Sequence, residues 1–320
     1  MNHLLQIEIG DKKDSEKADQ VARAIVALAQ GKHLLFGIDR DGTLVAYADR
    51  PEVAVLHPYV HALMCKLADC PNVTAAVVSA RSTAQLRGEF DEQKLILAGN
   101  YGLEICYPQR STNGTLHKSA AKALKQTNTK AAHSAPTLKA ARDELAVLIR
   151  AETAAILEDH GYSLCLHWHT VPTEMRPNLH RLVADIAKKF PDLHWRAQPT
   201  SYEVLPALDW SKASALAAIA GTIAATSATV SAGTDAAAHD ATADDSTPLL
   251  GGQNTMPLAY VFIGDSAADE PAFAWVNERN GISVKVGSAG GGTVSTYQLA
   301  DTKETEALLA RLVDYLKQAG

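Results

Sequence analysis

The sequence predicts an α/β fold: a doubly wound, Rossmann-like parallel sheet with a smaller α+β module inserted into it. Three observations carry that expectation. Short apolar runs at residues 34–38, 73–78, 94–98, 259–263 and 282–286 have the length and flanking turns of buried strands. Amphipathic helical stretches with short links separate them, the alternation that builds a parallel sheet. Between residues 104 and 207 the alternation breaks, and paired strands around two helices take its place.

Composition narrows the function classes. The chain has 320 residues, 47% of them hydrophobic and 21% charged, ample for a large buried core. A net charge of −6 argues against a nucleic-acid binder or an anionic-membrane binder. No apolar run approaches a membrane span, and the N-terminal residues turn acidic at once without the basic and apolar regions of a signal peptide. Cys65, Cys70, Cys106 and Cys165 lack Cys-x-x-Cys spacing and read as reduced thiols. The expected setting is the cytoplasm, as a monomer or small homo-oligomer.

In chain order, residues 15–30 form an amphipathic helix with Ala18, Val21, Ala22, Ile25 and Leu28 on one face, ended by Gly31. The first strand then runs into Asp39-Arg40-Asp41-Gly42-Thr43-Leu44. Side chains two apart in a strand point the same way, so Asp39 and Asp41 face one direction and Arg40 the other. Ligands of open α/β sheets bind beyond the carboxyl ends of strands. Two acids there suit Mg²⁺ and an anionic substrate, because a hard cation takes carboxylate oxygens and offsets phosphate charge. Asp-x-Asp-Gly is equally ordinary turn chemistry, and this segment alone does not separate the two readings.

A helix at 58–68 follows, with His57 and His61 on its surface. The second strand ends in Ser79-Ala80-Arg81-Ser82, where Ser79 either donates to a phosphate oxygen or caps the helix beginning near Thr83. The third strand leads into Gly99-Asn100-Tyr101-Gly102-Leu103-Glu104. Residues 111–136 read as polar and irregular, 138–150 as helix, 154–157 and 163–167 as strands, 177–190 as helix, and 195–198 and 201–205 as strands. His167 and His169 alternate on one strand face; with no third ligand in view, a polar cleft wall is favoured over a metal pair.

After Pro206 the chain returns to the first sheet. Lys212 opens an alanine-rich helix to about Ala220, either as a phosphate-binding point charge or as a solvated helix lysine. Residues 224–256 are dominated by Ala, Thr, Ser, Asp and Gly and read as a flexible surface insertion. The fourth strand ends in Gly264-Asp265-Ser266-Ala267-Ala268-Asp269, where Ser266 and Asp269 have capping-box spacing, yet Asp265 occupies the strand-end position that Asp39 also occupies. The loop at 287–292 lacks the Lys-Ser/Thr of a Walker phosphate loop, and residues 304–317 close the chain as an amphipathic helix.

The ordered set Asp39/Asp41, Ser79, Lys212 and Asp265/Asp269 resembles the haloacid dehalogenase superfamily of phosphatases. The finer resemblance, over residues 34–316 apart from 224–256, is to the trehalose-6-phosphate phosphatases. It rests on Asp39 to Leu44, Val78 to Ser82, Gly99 to Glu104, Glu158 to Gly161, His167 to His169, Glu203 to Pro206, Gly264 to Glu270 and Ser283 to Gly287.

That resemblance implies a haloacid dehalogenase core at 1–103 and 208–320 and an α+β cap domain at 104–207. It implies hydrolysis of a small-molecule sugar phosphate with Asp39 as nucleophile and Asp41 as a general acid–base that starts protonated. Ser79 and Lys212 would hold the phosphoryl oxygens, with Asp269 orienting Lys212 or a metal-bound water. It implies Mg²⁺ on Asp39, Asp265 and the Asp41 carbonyl, and substrate contacts from Arg81, Asn100, Glu158, His160, His167, His169 and Glu203. Against the family pattern, Arg40 stands where an apolar residue is usual, Tyr101 replaces a histidine, and His160 and His169 replace a lysine and an arginine of the cap. Weakly basic imidazoles in place of two cations are expected to weaken or re-aim sugar recognition at neutral pH.

Overall fold

The computed structural model describes residues 12–48, 50, 53–108, 124–150, 154–231, 256–288 and 292–319. Helix α1 (Lys12–Ala29) precedes strand β1 (His33–Ile38), and α2 (Pro58–Ala68), β2 (Val73–Val78), α3 (Thr83–Arg87) and β3 (Ile96–Gly99) follow. Strands β4 (Glu104–Tyr107) and β5 (Leu124–Thr127) come next, then α4 (Thr129–Arg150), β6 (Ile156–Asp159), β7 (Leu164–His167), α5 (Arg176–Ala187), β8 (Leu193–Ala197) and β9 (Ser201–Pro206). The chain closes with α6 (Lys212–Ser231), β10 (Leu258–Gly264), α7 (Glu270–Asn277), β11 (Ile282–Val286), β12 (Tyr297–Leu299) and α8 (Thr302–Ala319).

An eight-stranded sheet runs β12-β11-β10-β1-β2-β3-β4-β5. Its first six strands are parallel and β4 and β5 extend it antiparallel. Strand alternation sorts β1 between two cores. Leu34, Phe36 and Ile38 pack with α1, α2 and α8 on one face. Leu35 packs with α6 and α7 on the other. All four side chains are almost fully enclosed, each contributing roughly 1.5–3 kcal/mol by leaving water. The helices on both faces make the doubly wound architecture expected from the sequence.

A second sheet, β6-β7-β9-β8, has four antiparallel strands. Helices α4 and α5 cover one face through Leu138, Leu145, Leu179 and Val183 against Leu164, Leu166 and Val204. Alternation turns Glu158, Cys165, His167 and Glu203 to the opposite face, which meets the large sheet's loops.

The differences from the sequence reading have local causes. Residues 111–123 of the stretch expected to be irregular lie outside the described residues, but β5 and the start of α4 fall within it. Strand β5 is a largely exposed edge strand without an apolar period, and α4 begins before Pro136 because Asn128 caps it, accepting from Lys130 N and Ala131 N at 3.0 and 3.2 Å. Since β4 and β5 pair into the large sheet, the sheet boundary falls after Thr127 rather than at Glu104. Helix α6 continues past Ala220 to Ser231, with Ile223 buried, because its alanine-rich sequence favours helix; the rest of the expected insertion, 232–255, lies outside the described residues. Among the described residues no helix is long and apolar enough to cross a membrane.

Candidate active site

Three adjacent parallel strands end together. Asp39 follows β1 and continues its ladder, its N–H donating to Ile263 O at 2.8 Å. Ser79 follows β2, its N–H on Ala98 O at 2.9 Å, and Asp265 follows β10. The cap of α3 is Ser82, with a complete capping box to Gln85. That leaves the Ser79 hydroxyl, which accepts from Arg81 N at 3.2 Å, with its proton free to donate.

Lys212, the first residue of α6, is only 2% exposed. Its Nζ lies 2.8 Å from Asp39 Oδ2 and 2.7 Å from Asp269 Oδ1. Burial pulls its pKa down, but the two carboxylates more than reverse this, so it is a fixed cation. Asp269 serves both the capping role its spacing allowed and the lysine-orienting role the resemblance implied. Oδ1 takes the lysine, while Oδ2 accepts from Asp265 N, Ser266 N and Ser266 Oγ at 3.1, 2.8 and 2.8 Å.

The donor set fits a hard divalent cation. Carboxylate oxygens of Asp39, Asp265 and Asp269 lie within 4.8 Å of one another. Asp265 Oδ1 is buried with no hydrogen-bond partner, whereas Oδ2 accepts from Tyr47 Oη at 2.9 Å. Burial, then the Asp269 charge, raises the Asp265 pKa to about 6. Asp39 is pushed well above the usual carboxylate range by burial and by Asp269 and Asp265, against the pull of Lys212. Lys212 bridges only two of the three acids, and Lys285 reaches only the Asp265 carbonyl, so negative charge is in excess. Gly42 admits this crowding: at φ +76°, any Cβ there would lie 2.1 Å from Asp265 Oδ2.

Asp41 corrects two expectations. Arg40 was expected to point away from it, yet strand periodicity stops at Ile38 and Arg40 begins a turn. Its fully enclosed guanidinium curls back, with Nη1 2.5 Å from Asp41 Oδ1. Arg81 grips the same carboxylate, Nε to Oδ2 at 2.9 Å and Nη2 to Oδ1 at 3.0 Å. Burial pushes the Asp41 pKa up, but the Arg81 hydrogen bond and the charges of Arg40 and Arg81 outweigh it and hold the group ionised, not protonated.

The four-stranded sheet closes over this edge. Asn100, Tyr101 and Gly102 are three consecutive left-handed residues at φ 51°, 59° and 87°. Asn100 was expected to touch substrate; it is fully enclosed, its Nδ2 donating to Glu104 Oε1 and His160 O at 2.9 Å each and its Oδ1 accepting from Ser163 Oγ at 2.6 Å. With its amide saturated by protein, it clamps the two sheets together. Tyr101 Oη donates to Glu203 Oε1 at 2.5 Å. His160 is buried with Nδ1 2.9 Å from Gln85 Oε1, and burial holds its pKa below the ordinary histidine value despite Glu158. His169 lies beyond the end of β7, so it does not share a strand face with His167; its ring meets the His167 ring edge-on at 5.9 Å.

His167, by contrast, is held as a cation on this face. Its Nε2 lies 2.7 Å from Glu158 Oε2. Burial lowers its pKa, but Cys165 and Glu158 together raise it to about 10. A pKa raised on folding stabilises fully below the unfolded value of ~6.5, and that contribution drains away as pH climbs to the folded value. We therefore expect the Tm gap between wild type and His167→Asn to be widest near pH 6 and to close towards pH 10. A gap independent of pH in thermal melts would contradict the pairing.

Sequence reasoning did not find Tyr47, Gln85 or Glu89 at the site, and only Arg40 carried a signal, a charge inside a buried motif. With this geometry in place, the comparisons with known proteins become informative. The chain is 25% identical over 301 residues to a probable trehalose-phosphate phosphatase I of Arabidopsis thaliana, covering 94% of this chain and 72% of that protein. It is 24% identical over 303 residues to a probable trehalose-phosphate phosphatase 2 of Oryza sativa subsp. japonica, covering 92% and 72%. In fold it matches the C. albicans trehalose-6-phosphate phosphatase C-terminal domain, with TM-score 0.66 and 16% identity over 92% of this chain and 96% of that one. A trehalose-6-phosphate phosphatase related protein matches with TM-score 0.65 and 17% identity over 89% of this chain and 100% of that one. The sequence model of the family described as trehalose-phosphatase spans residues 38–306, from the last residue of β1 into α8 and through every strand end of the site; the chain belongs to that family.

Proposed function

We propose that this protein is a cytoplasmic, Mg²⁺-dependent phosphatase that hydrolyses trehalose 6-phosphate to trehalose and phosphate. The observation that carries the reading is the buried Asp39–Lys212–Asp269 row beside the unpartnered Asp265 oxygen. It is a strand-end nucleophile next to a fixed cation and a vacant acceptor. Asp39 and Asp265 side chains and the Asp41 main-chain carbonyl would hold the Mg²⁺, whose charge offsets that of the phosphate. The residues of the α+β module act as a cap that excludes water and contacts the sugar.

In the first step an Asp39 oxygen bonds to phosphorus as the bond to the sugar oxygen breaks, giving an aspartyl-phosphate. Asp41 gives its proton to the departing oxygen, then takes one from the water that attacks phosphorus and releases Asp39. For Asp41 to carry that first proton, Arg81 must let go of it. An arriving phosphate offers the Arg81 fork a bidentate partner of its own. Lys212 and Ser79 steady the phosphoryl oxygens. Glu158, His167 and Glu203 line the sugar side, with a positive charge on His167 rather than at His160, where the family's cap usually offers a lysine.

Phosphate release with Mg²⁺ from trehalose 6-phosphate, beside glucose 6-phosphate, sucrose 6-phosphate and glucosylglycerol phosphate, tests the reading. Preference for trehalose 6-phosphate by about tenfold or more in kcat/KM is the expected result. Preference for another sugar phosphate would keep the Asp39 chemistry and move the substrate, the rival reading that the His160 and His169 substitutions motivate. No turnover on any of them would make the protein a sugar-phosphate-binding regulator.

A further inference from the structure

The four-stranded sheet carries a second cluster of metal-donor side chains, different in kind from the carboxylates at the strand ends. Register sets Glu158 of β6 directly opposite Cys165 of β7, and His167 follows two residues along β7 on the same face. A carboxylate oxygen of Glu158, the Cys165 sulfur and a ring nitrogen of His167 lie within 4.8 Å of one another. The Cys165 thiol is unbridged and half-buried. Glu203 flanks it from β9 but is engaged elsewhere: Oε1 accepts from Tyr101 Oη and Oε2 from Gln198 Nε2 at 3.3 Å.

A fourth donor faces the same place. Ser82 N donates to Gln85 Oε1 at 2.9 Å, which fixes that atom as the oxygen, and His160 Nδ1 lies 2.9 Å from it. A neutral His160 ring therefore carries its hydrogen on Nδ1 and leaves Nε2 bare. That Nε2 is 3.9 Å from Glu158 Oε2, beyond hydrogen-bond reach, on a side chain only 6% exposed. Metal-binding imidazoles are held in this way, by an acceptor on the ring's other nitrogen.

Donor atoms of a tetrahedral zinc lie roughly 3.4 Å apart, so His167 Nε2 and Glu158 Oε2, at 2.7 Å, need to part by less than about 1 Å. Sulfur, nitrogen and oxygen together suit a borderline ion such as Zn²⁺, whereas the all-carboxylate strand ends suit Mg²⁺.

We propose that Glu158, Cys165 and His167, with His160 as fourth donor, form a Zn²⁺ site on the cap, and that zinc bound there competes with the sugar phosphate. The competition rests on the reading of Glu158 and His167 as sugar-side residues; the site itself does not. As zinc binds, Zn–S and Zn–N bonds form, Cys165 and His167 each give a proton to solvent, and no electron moves. The groups that attract the His167 proton, Glu158 and Cys165, are the other two donors, so their attraction passes to the ion.

Co²⁺, which stands in for zinc and absorbs strongly when bound to thiolate, is titrated into the full chain in saturating Mg²⁺. A thiolate-to-cobalt charge-transfer band should appear, and Zn²⁺ should abolish it by displacement. Cys165→Ser should lose the band and bind Zn²⁺ roughly 100-fold more weakly. Cys65→Ser, which removes the thiol 3.7 Å from His61 Nε2, should keep both. His167→Asn should weaken Zn²⁺ binding independently, should the serine variant fold poorly. In turnover of trehalose 6-phosphate at the same Mg²⁺, Zn²⁺ should raise the wild-type KM roughly tenfold at unchanged kcat, and that of Cys165→Ser less than about twofold. Without Zn²⁺, Cys165→Ser should match wild type, since the reaction assigns Cys165 no role.

No thiolate band in wild type, or its survival in Cys165→Ser, overturns the site. Equal inhibition of wild type and Cys165→Ser overturns the competition and places the inhibiting ion at the strand-end carboxylates. A band with no rise in KM upholds the site and overturns the sugar-side reading of Glu158 and His167. Where trehalose 6-phosphate is not turned over, the cobalt titration, which needs no substrate, still decides the site.

Discussion

Asp39→Asn ends turnover and makes the metal-free protein more stable. The loss of activity, roughly 10³-fold or more, follows from the role proposed for Asp39 as nucleophile of a two-step displacement. The gain in stability follows from the company Asp39 keeps. It is buried, and burial with the charges of Asp269 and Asp265 raises its pKa more than Lys212 lowers it. A carboxyl whose pKa is raised on folding stabilises below its unfolded value of ~3.9, and that stabilisation is lost as pH rises through the folded value. Above the unfolded value Asp39 therefore opposes folding, and an uncharged amide of the same shape relieves it. Thermal melts in chelator should place Asp39→Asn above wild type at pH 7 and level with it in acid. Adding Mg²⁺ should then raise wild type more, since the amide is the poorer ligand. A lower Tm for Asp39→Asn in chelator would show that the lysine contact outweighs the crowding.

How far the sequence could reach depended on whether a residue's environment was local. Asp39, Ser79 and Asp265 were legible because each ends a short apolar run, and adjacent parallel strands necessarily bring such ends together. Ser82 against Ser79 was a local question too, but only coordinates settled it, through the capping bond to Gln85. Arg40 was misread because period-two alternation was carried three residues beyond Ile38, into a turn where it no longer holds. The ionisation of Asp41 was misread because Arg81 lies 40 positions away in sequence, and no pattern near Asp41 announces it.

The cap followed the same logic. Its strands were visible from their apolar alternation, whereas β5, at the edge of the large sheet, was not, being polar and largely exposed. The expected weakening of cap charge, placed at His160 and His169, agrees with the burial that keeps His160 neutral, while His167, for which no charge was expected, is kept charged by Cys165 and Glu158. Two histidines seven residues apart acquire opposite character from their partners. Residue type alone cannot distinguish them.

Lys212→Met is the counterpart of Asp39→Asn and should move stability the other way. The lysine is buried between two carboxylates, and deleting it leaves Asp39 and Asp269 as uncompensated buried charges. Breaking such a pair costs about 3–5 kcal/mol, a fall in Tm of order 10 °C for a chain of this size. Because folding raises the lysine's pKa, its contribution is complete below the unfolded value of ~10.4, so the deficit should stay constant between about pH 6 and pH 9. Turnover should fall roughly 10²–10³-fold, the scale of losing one oriented charge from a phosphoryl-transfer site. Mg²⁺ discriminates the two losses. A dication beside Asp39 and Asp265 supplies part of the missing positive charge, so melts with saturating Mg²⁺ should recover some of the Tm deficit. The catalytic deficit should remain, because the ion does not occupy the place on the phosphoryl oxygens proposed for the lysine. Recovery of turnover together with Tm would mean that Lys212 serves only to neutralise its neighbours, and that the phosphate is held by other groups.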